Sequence, residues 1–289
     1  MLSQQPQDKI IQNVSDTAWL VATLRSQESK RKDALFNDPF AEILVGEKGR
    51  KMVENISSGY DISWFMAVRT YLIDKFILDV IRDNKIDCVV NLAAGLCARA
   101  YRLSLPKNLI WYDVDLDPVI NYKNTTLAKH PTQCDYRTYS CDLRIDSERS
   151  IFWEKVKKES KKILVLTEGL LLYLTEENVS SMANELASHK EVLYWVTDMY
   201  LAGTGDLSKW HKFMEDSNAA FRWGPKNSDT YFERFGWKLI DKRGMIEEGQ
   251  RLNRIPPKVD PSVFSNSPLF DKDMDKLWEF AEIRFMEKV

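Results

Sequence analysis

The stretch that most constrains the fold is an apolar run that ends in a turn of small residues. Residues 88–92 read Cys-Val-Val-Asn-Leu, the pattern of a strand that is buried on both faces of a parallel sheet. Ala93, Ala94 and Gly95 follow, and residues 96–103 predict a helix. Small residues let the backbone approach a bound molecule, and the first amides of a helix point toward it. We therefore expect a ligand at the carboxyl end of this strand, where open α/β sheets bind their ligands.

The residues of the turn narrow the class of ligand. Nicotinamide and flavin fingerprints need three glycines, because the backbone almost touches a pyrophosphate. Gly95 is the single glycine between residues 88 and 103. The turn therefore suits a nucleotide-like ligand without phosphates, of which S-adenosylmethionine is the commonest in this architecture, and it argues against a nicotinamide dehydrogenase.

Strand patterns alternate with helix patterns after this turn. Further strands are predicted at 109–114, 136–141, 163–167, 191–197 and 236–241, with helices at 118–129, 152–157 and 176–188. This alternation is typical of an α/β protein whose mostly parallel sheet carries helices on both faces. Residues 245–267, with three prolines, are predicted to be a loop, and 283–288 an antiparallel closing strand after a last helix.

Helical patterns precede the first strand. They run from residue 9 to 28, from 39 onward and from 63 to 81. We therefore expect an N-terminal helical cover segment at 1–82 and a core domain at 83–289. A helical or loop insertion is expected within the core at about 203–232.

The turn glycine and three acidic residues lie where the predicted strands end. The intervals along the chain are 20, 27 and 26 positions between Gly95, Asp115, Asp142 and Glu168, so each lies just past the end of a successive strand. The first interval matches the spacing of about 20 residues at which an acid after the second strand binds a ribose diol. These residues are expected to meet at one edge of the sheet.

Charge and composition exclude several classes of protein. With 41 basic and 43 acidic side chains the formal charge is -2, which gives no electrostatic case for a nucleic acid or an anionic membrane as partner. No apolar run approaches the roughly 20 residues that cross a bilayer, and the N-terminus lacks an apolar signal core, so we expect a cytoplasmic protein. The four cysteines have no C-x-x-C spacing and the three histidines are scattered, which predicts reduced thiols and no metal site.

Several motifs together resemble the leucine carboxyl methyltransferase family, which also holds bacterial polyketide O-methyltransferases. Residues 91–103 (N-L-A-A-G-L-C-A-R-A-Y-R-L) are similar to the first motif of the family, and 113–123 to its second. The pair at 142–143 and the run at 168–174 resemble later motifs, and 17–44 and 236–237 extend the resemblance over essentially the whole chain. It implies the class I methyltransferase fold, a seven-stranded Rossmann-like sheet whose last strand is antiparallel, and S-adenosylmethionine as methyl donor.

Two positions depart from the family's first motif. Ala93 stands where the family usually has glycine, and Cys97 where it usually has aspartate. One methyl group at Ala93 still permits close packing, so we expect donor binding to survive. Cys97 removes an acid from the rim of the pocket, a change that bears on substrate preference.

The resemblance also implies roles for residues of the donor site. Arg69 would bind the carboxylate of the donor with its planar fork, and Glu168 would lie nearest the ammonium group. Ala94 and Gly95 would give backbone approach to the methionine part. Asp115 would accept both ribose hydroxyls, and Asp142 with the Leu143 amide would bracket the adenine. The alternatives are helix caps for the two aspartates, a solvated surface position for Arg69 and a simple tight turn at Gly95.

Tyr173 and Arg31 are candidates for the acceptor side, as catalytic or substrate-contacting residues. A core tyrosine and a solvated charge are the alternatives. Methyl transfer needs the nucleophile and the methyl carbon held in line, and a carboxylate acceptor is already ionised at neutral pH, so it needs no base. The scarcity of histidine fits that chemistry.

We therefore predict an O-methyltransferase that acts on a carboxylate, or a hydroxyl, of a small molecule or peptide terminus. The alternative is a non-catalytic protein that binds S-adenosylmethionine in a regulatory or interaction role. The sequence leaves the oligomeric state open.

Overall fold

A computed structural model describes residues 14–56, 63–200, 219–225, 230–255 and 281–289. Across these ranges seven strands form one sheet in the order β3-β2-β1-β4-β5-β7-β6. The strands are β1 (Cys88–Leu92), β2 (Ile110–Asp115), β3 (Asp135–Ser140), β4 (Ile163–Thr167), β5 (Val192–Tyr200), β6 (Trp237–Gly244) and β7 (Ala281–Lys288).

The first five strands are parallel and the last pairings are antiparallel. Val90 of β1 stands beside Tyr112 of β2 and Val165 of β4, and both pairings run parallel. β7 runs antiparallel between β5 and β6. Every residue of β1 and β4 is buried, as expected for central strands that are covered on both faces. The predicted α/β fold with a mostly parallel sheet is confirmed.

Helices cover both faces of this sheet. They are α1 (Thr17–Ser29), α2 (Pro39–Ile56), α3 (Ser63–Asn84), α4 (Arg99–Arg102), α5 (Asp117–Leu127), α6 (Asp146–Glu159), α7 (Glu176–Ser188) and α8 (Met245–Arg251). Asp38 begins α2, since its carboxylate accepts the Ala41 N–H at 3.0 Å and Pro39 occupies the first helical position. Thr175 caps α7 in the same way through the Asn178 N–H at 3.3 Å.

Two hydrophobic clusters lie on opposite faces of the sheet. Val89 belongs to one and Val90 to the other, because successive side chains of a strand point to opposite faces. The cluster with Val89 includes Trp19 of α1 and Phe65 of α3, whereas the cluster with Val90 includes side chains of α6 and α7. The N-terminal helices therefore share a core with the sheet, and α3 packs against β5 and β7.

The structure corrects several predicted boundaries. The helix predicted at 96–103 is reduced to Arg99–Arg102, because the chain first makes a turn in which the Cys97 N–H donates to the Ala94 carbonyl at 3.0 Å. The loop predicted at 245–267 begins with α8, whose acidic first turn suits a helix N-terminus, ahead of the prolines that suggested a loop. β5 continues to Tyr200, so Asp198 lies inside the strand. Residues 201–218 and 226–229, most of the predicted insertion, and the predicted last helix lie outside the described residues.

Candidate active site

A cavity of about 1020 Å³ opens where the parallel strands end. The turn after β1, the last residue of β2, the residues after β3 and those after β4 form its wall, and the start of α1 closes one side. Gly95, Asp115, Asp142 and Glu168 all line it. The structure therefore brings together the strand-end residues that the spacing singled out.

The turn after β1 is held in a left-handed backbone conformation. Ala93 has φ 52° and Gly95 φ 51°, and for a residue with a side chain this conformation costs about 1–2 kcal/mol. A Cβ atom at Gly95 would stand 3.1 Å from the Cβ of Ala18 on α1. Glycine is thus favoured at position 95 both by the backbone conformation and by the packing of α1 over the turn.

Asp115 joins this turn to the end of β2. Its carboxylate accepts the N–H groups of Gly95 and Leu116, each at 2.7 Å. Burial raises the pKa of Asp115 despite these hydrogen bonds. A carboxylate has about four acceptor positions, so the two that remain suit paired hydroxyl donors such as a ribose diol. The residue that precedes α5 is Leu116, so Asp115 does not occupy the cap position of that helix.

Asp142 and Leu143 form the wall beyond β3. The Asp142 carboxylate accepts the backbone N–H of Arg144 at 3.0 Å and its guanidinium at 2.6 Å, and these bonds lower the pKa of Asp142. Glu148 of α6 accepts the Asp142 N–H at 2.8 Å. Arg149 donates to the Leu143 carbonyl at 2.6 Å. Asp142 therefore lines the cavity and also organises the turn that leads into α6, whose cap position is occupied by Ile145.

A compact centre of opposite charges lies at the end of β4. Arg69 Nε is 3.1 Å from Glu168 Oε1, and Arg69 Nη1 is 3.0 Å from Asp198 Oδ2. Arg99 Nη1 approaches Glu168 Oε2 at 2.6 Å. The Arg69 side chain is 5% exposed, so the solvated surface alternative is wrong for this residue.

The arginines of this centre keep its acid ionised. Burial raises the pKa of Glu168, but the ion pairs with Arg99 and Arg69 outweigh it and lower the pKa to about 2. Glu168 is therefore negative, and Arg69 positive, at any physiological pH. A ligand that carries both an ammonium and a carboxylate meets complementary charges here, which fits the amino-acid end of S-adenosylmethionine.

The two candidates for the acceptor side, Tyr173 and Arg31, lie in different places in the structure. Tyr173 lines the cavity, its ring 5.6 Å from that of Phe221, and burial raises its pKa to about 12. It therefore keeps its proton at neutral pH. Arg31 lies just past α1 with a side chain that is 51% exposed, 3.1 Å from Asp33, and it does not line the cavity. α1 ends at Ser29, so Arg31 follows the helix at the surface.

Three residues of the site were not assigned a role from the sequence. Arg25 of α1 donates to the Leu96 carbonyl at 2.6 Å, and Arg99 and Asp198 complete the charged centre. Asp198 follows Glu168 by 30 positions and could have been found by continuing the series of strand-end acids. Arg25 and Arg99 carry no such local signal, because surface and buried arginines look alike in a sequence.

The described residues give no support for a metal site, a disulfide or a membrane-spanning helix. Within them no group of three or more histidine, cysteine, aspartate or glutamate side chains is placed to hold a metal ion. The four cysteines are buried free thiols. No helix in the described ranges combines the length and the apolar character that crossing a membrane requires.

Comparison with solved structures supports the fold. A methyltransferase candidate from Thermobifida fusca superimposes with a TM-score of 0.60 and 15% identity over 97% of this chain and 96% of its own. A duf574 family protein from Streptomyces avermitilis gives 0.59 and 10% identity over 94% and 97%. At such low identity the likeness concerns the fold alone.

Comparison with curated sequences is more specific. Two proteins of Mycobacterium marinum and one of Mycobacteroides abscessus are similar to this chain, and all are named as candidate S-adenosyl-L-methionine-dependent methyltransferases. One from M. marinum is 33% identical over 261 residues, which is 84% of this chain and 80% of that protein. The other is 37% identical over 155 residues, 46% of this chain and 47% of that protein. The M. abscessus protein is 32% identical over 61% of this chain and 62% of its own length.

The sequence model of one family covers much of the same region. That model, described as leucine carboxyl methyltransferase, matches residues 18–187, which hold the cover helices, the turn after β1 and all four strand-end residues of the cavity. The match spans more than half of the 289 residues. This chain belongs to the leucine carboxyl methyltransferase family.

Proposed function

We propose that this S-adenosylmethionine-dependent methyltransferase transfers its methyl group to an oxygen atom, and that the acceptor is a carboxylate of a small molecule or a peptide terminus. The observation that carries the proposal concerns the described residues of the cavity wall, which include no histidine and whose acids are already engaged in ion pairs or hydrogen bonds. A carboxylate, with a pKa near 4, is ionised at neutral pH and attacks without losing a proton to the protein.

The residues of the cavity can hold the donor in a single orientation. Asp115 would accept the ribose hydroxyls, and Asp142 with Leu143 would flank the adenine. Arg69 and Glu168 would bind the carboxylate and the ammonium of the methionine part, with Ala94 and Gly95 against its chain. The donor supplies an electrophilic methyl group, and the protein's contribution is to hold it in line with the acceptor oxygen, which is the main source of rate in such displacements.

The titratable groups around the cavity support an acceptor that is already ionised. Of the described residues that line it, none is a histidine. Tyr173 and Tyr200 are protonated at neutral pH, because burial raises the pKa of each. Glu168 is held by two arginines, and Asp16 forms an ion pair with Lys48 at 2.5 Å. Among the described residues of the lining, the acids that could take a proton from a phenol or alcohol acceptor are thus already engaged, since Asp115 and Asp142 also accept hydrogen bonds.

The experiment uses methyl-labelled S-adenosylmethionine, the purified protein and a panel of acids and phenols. A transferred label that alkali releases as volatile methanol identifies a methyl ester and supports the carboxylate acceptor. A label that resists alkali identifies an ether or a nitrogen or carbon product and contradicts the proposal. Donor binding in calorimetry, with no transfer to any acid, phenol or peptide offered, would favour the regulatory alternative.

A further inference from the structure

Eight buried or partly buried charges form one continuous series beside the cavity. Asp198 contacts Arg69, Arg69 contacts Glu168 and Glu168 contacts Arg99, as described above. Arg99 Nε then lies 2.6 Å from Asp74 Oδ1, and Arg102 Nη1 lies 2.6 Å from Asp74 Oδ2. Arg102 Nε is 3.5 Å from Asp38 Oδ2, and the same oxygen is 3.0 Å from Arg25 Nε. Acid and arginine alternate throughout, so the series is electrically neutral.

Six elements contribute to this series. Its members come from α1, the start of α2, α3, α4, the end of β4 and β5. Arg25 closes the far end by donating to the Leu96 carbonyl at 2.6 Å, directly after Gly95. The series thus connects the N-terminal helices to the wall of the cavity, which includes Arg25, Arg69, Leu96 and Glu168.

Arg99 is the central member. It is 3% exposed and contacts three groups: Asp74 on one side, and Glu168 and the Cys97 Sγ, at 3.4 Å, on the other. Asp74 is itself held by both Arg99 and Arg102. Arg99 does not line the cavity, so it acts on a ligand through Glu168.

We infer that Arg99, braced by Asp74, is a positioning residue that fixes the Glu168 carboxylate beside Arg69 for the ammonium group of the donor. The inference rests on the proposed function, since it takes S-adenosylmethionine as the ligand. The helix after the glycine turn, α4, would thus contribute to donor binding without contacting the donor.

The need for Arg99 follows from the charges that face Glu168. From α3 it faces Arg69, and from β5 it faces Asp198, a like charge that shares Arg69; Tyr200 of β5, which keeps its proton, contacts Arg69. Arg25 of α1 adds a weaker positive charge, and Tyr173, which keeps its proton, lies near Arg69. Because Arg69 is divided between two carboxylates, Arg99 supplies the second positive charge beside this buried pair of acids, and Arg102 shares with Arg99 the neutralisation of Asp74.

Loss of Arg99 should therefore leave Glu168 mobile and easier to protonate. A protonated Glu168 cannot accept the ammonium as a charged partner. The affinity for the donor should then fall at neutral pH and fall further as the pH is lowered. A residue that merely supports the fold would weaken binding by the same factor at every pH.

The test is calorimetric titration of S-adenosylhomocysteine into the wild type, Arg99→Gln and Asp74→Asn at several values between about pH 5 and 7, a window in which the ligand's ammonium stays protonated. The readout is the ratio of the variant Kd to the wild-type Kd. For Arg99→Gln we expect a ratio of about ten or more at pH 7, the scale of a hydrogen bond to a charged group, and a larger ratio at pH 5. For Asp74→Asn the ratio of Kd values should change in the same direction but by a smaller factor.

Two further variants separate this role from general damage. Arg284→Gln removes a buried arginine of β7 that pairs with Glu282 outside the cavity, and its ratio should stay near one at each pH. Arg99→Lys keeps the charge and should show a modest ratio that does not change with pH. Asp74→Asn carries the test should Arg99→Gln fail to fold, because its ratio is also expected to grow as the pH is lowered.

The outcomes that overturn the inference are distinct from failure of the proposed function. A ratio near one for Arg99→Gln, or a ratio that is raised equally at pH 5 and pH 7, would remove the positioning role. A wild-type protein that binds neither S-adenosylhomocysteine nor S-adenosylmethionine would instead contradict the proposed function.

Discussion

Gly95→Ala tests how the glycine turn, the cover helix and donor binding depend on one another. The new methyl group meets two obstacles. The backbone at φ 51° costs a residue with a side chain about 1–2 kcal/mol. The new Cβ also lies 3.1 Å from the Ala18 Cβ, whereas carbon atoms pack best at about 3.5–4.0 Å. The turn or α1 must therefore shift by a few tenths of an ångström, roughly the shortfall in that contact.

This shift should reduce donor binding as well as stability. The Gly95 N–H holds the Asp115 carboxylate at 2.7 Å, so a displaced turn carries Asp115 away from the place where it would accept the ribose. We expect Gly95→Ala to lower the free energy of unfolding by about 1–2 kcal/mol and to raise the Kd for S-adenosylhomocysteine about tenfold or more. Urea unfolding and calorimetry measure the two effects separately.

Gly236→Ala is the matched control. Gly236 has φ 82°, with no atom within 4 Å of an added Cβ, so the substitution adds backbone strain without a contact. It should destabilise the fold by a similar amount and leave the Kd unchanged. The double variant Gly95→Ala with Ala18→Gly should recover part of the lost affinity, since it removes the facing methyl. An unchanged Kd in Gly95→Ala, or an equal loss in Gly236→Ala, would refute this reasoning.

Three further predictions concern separate parts of the molecule. Asp115→Ala should weaken binding of S-adenosylhomocysteine by about 1.5–3 kcal/mol, the scale of hydrogen bonds to a charged group, with the circular dichroism spectrum unchanged, and an unaltered Kd in calorimetry would remove the ribose assignment. Burial, with Lys157 nearby, lowers the pKa of His189 to about 4. Below a pH of about 6.5 the unfolded chain therefore binds a proton that the folded chain does not bind. The free energy of unfolding should fall as the pH drops from about 6.5 through about 4. Urea unfolding should show a loss between pH 7 and pH 5 that is smaller by roughly 1 kcal/mol in His189→Gln, and an equal loss in both proteins would contradict it. Once an acceptor is known, single-turnover methyl transfer at saturating donor should depend little on pH between about 6 and 8.5, because a carboxylate is ionised throughout that range, whereas a rise of about tenfold per pH unit would indicate a phenol and a missing base.

The sequence by itself determined the class of fold and the edge of the sheet that binds the ligand. Strands and helices impose short periods on a sequence, and residues 88–92 and 163–167 were predicted with the bounds that the structure shows. Parallel strands connected by helices must end at the same edge, so Gly95, Asp115, Asp142 and Glu168 were expected together and all four line the cavity. These conclusions needed only local patterns and the order of the elements along the chain.

The tertiary structure decided which charges meet. Arg69 and Asp198 are 129 positions apart and form an ion pair, and Arg99 contacts Glu168 across 69 positions. Arg31 was expected near the acceptor but lies outside the cavity, whereas Arg25, six residues earlier, reaches the turn. A residue type and its neighbours in sequence say whether a charge exists. They do not say which side of a helix faces the sheet, or which distant acid stands opposite, because those depend on how whole elements pack.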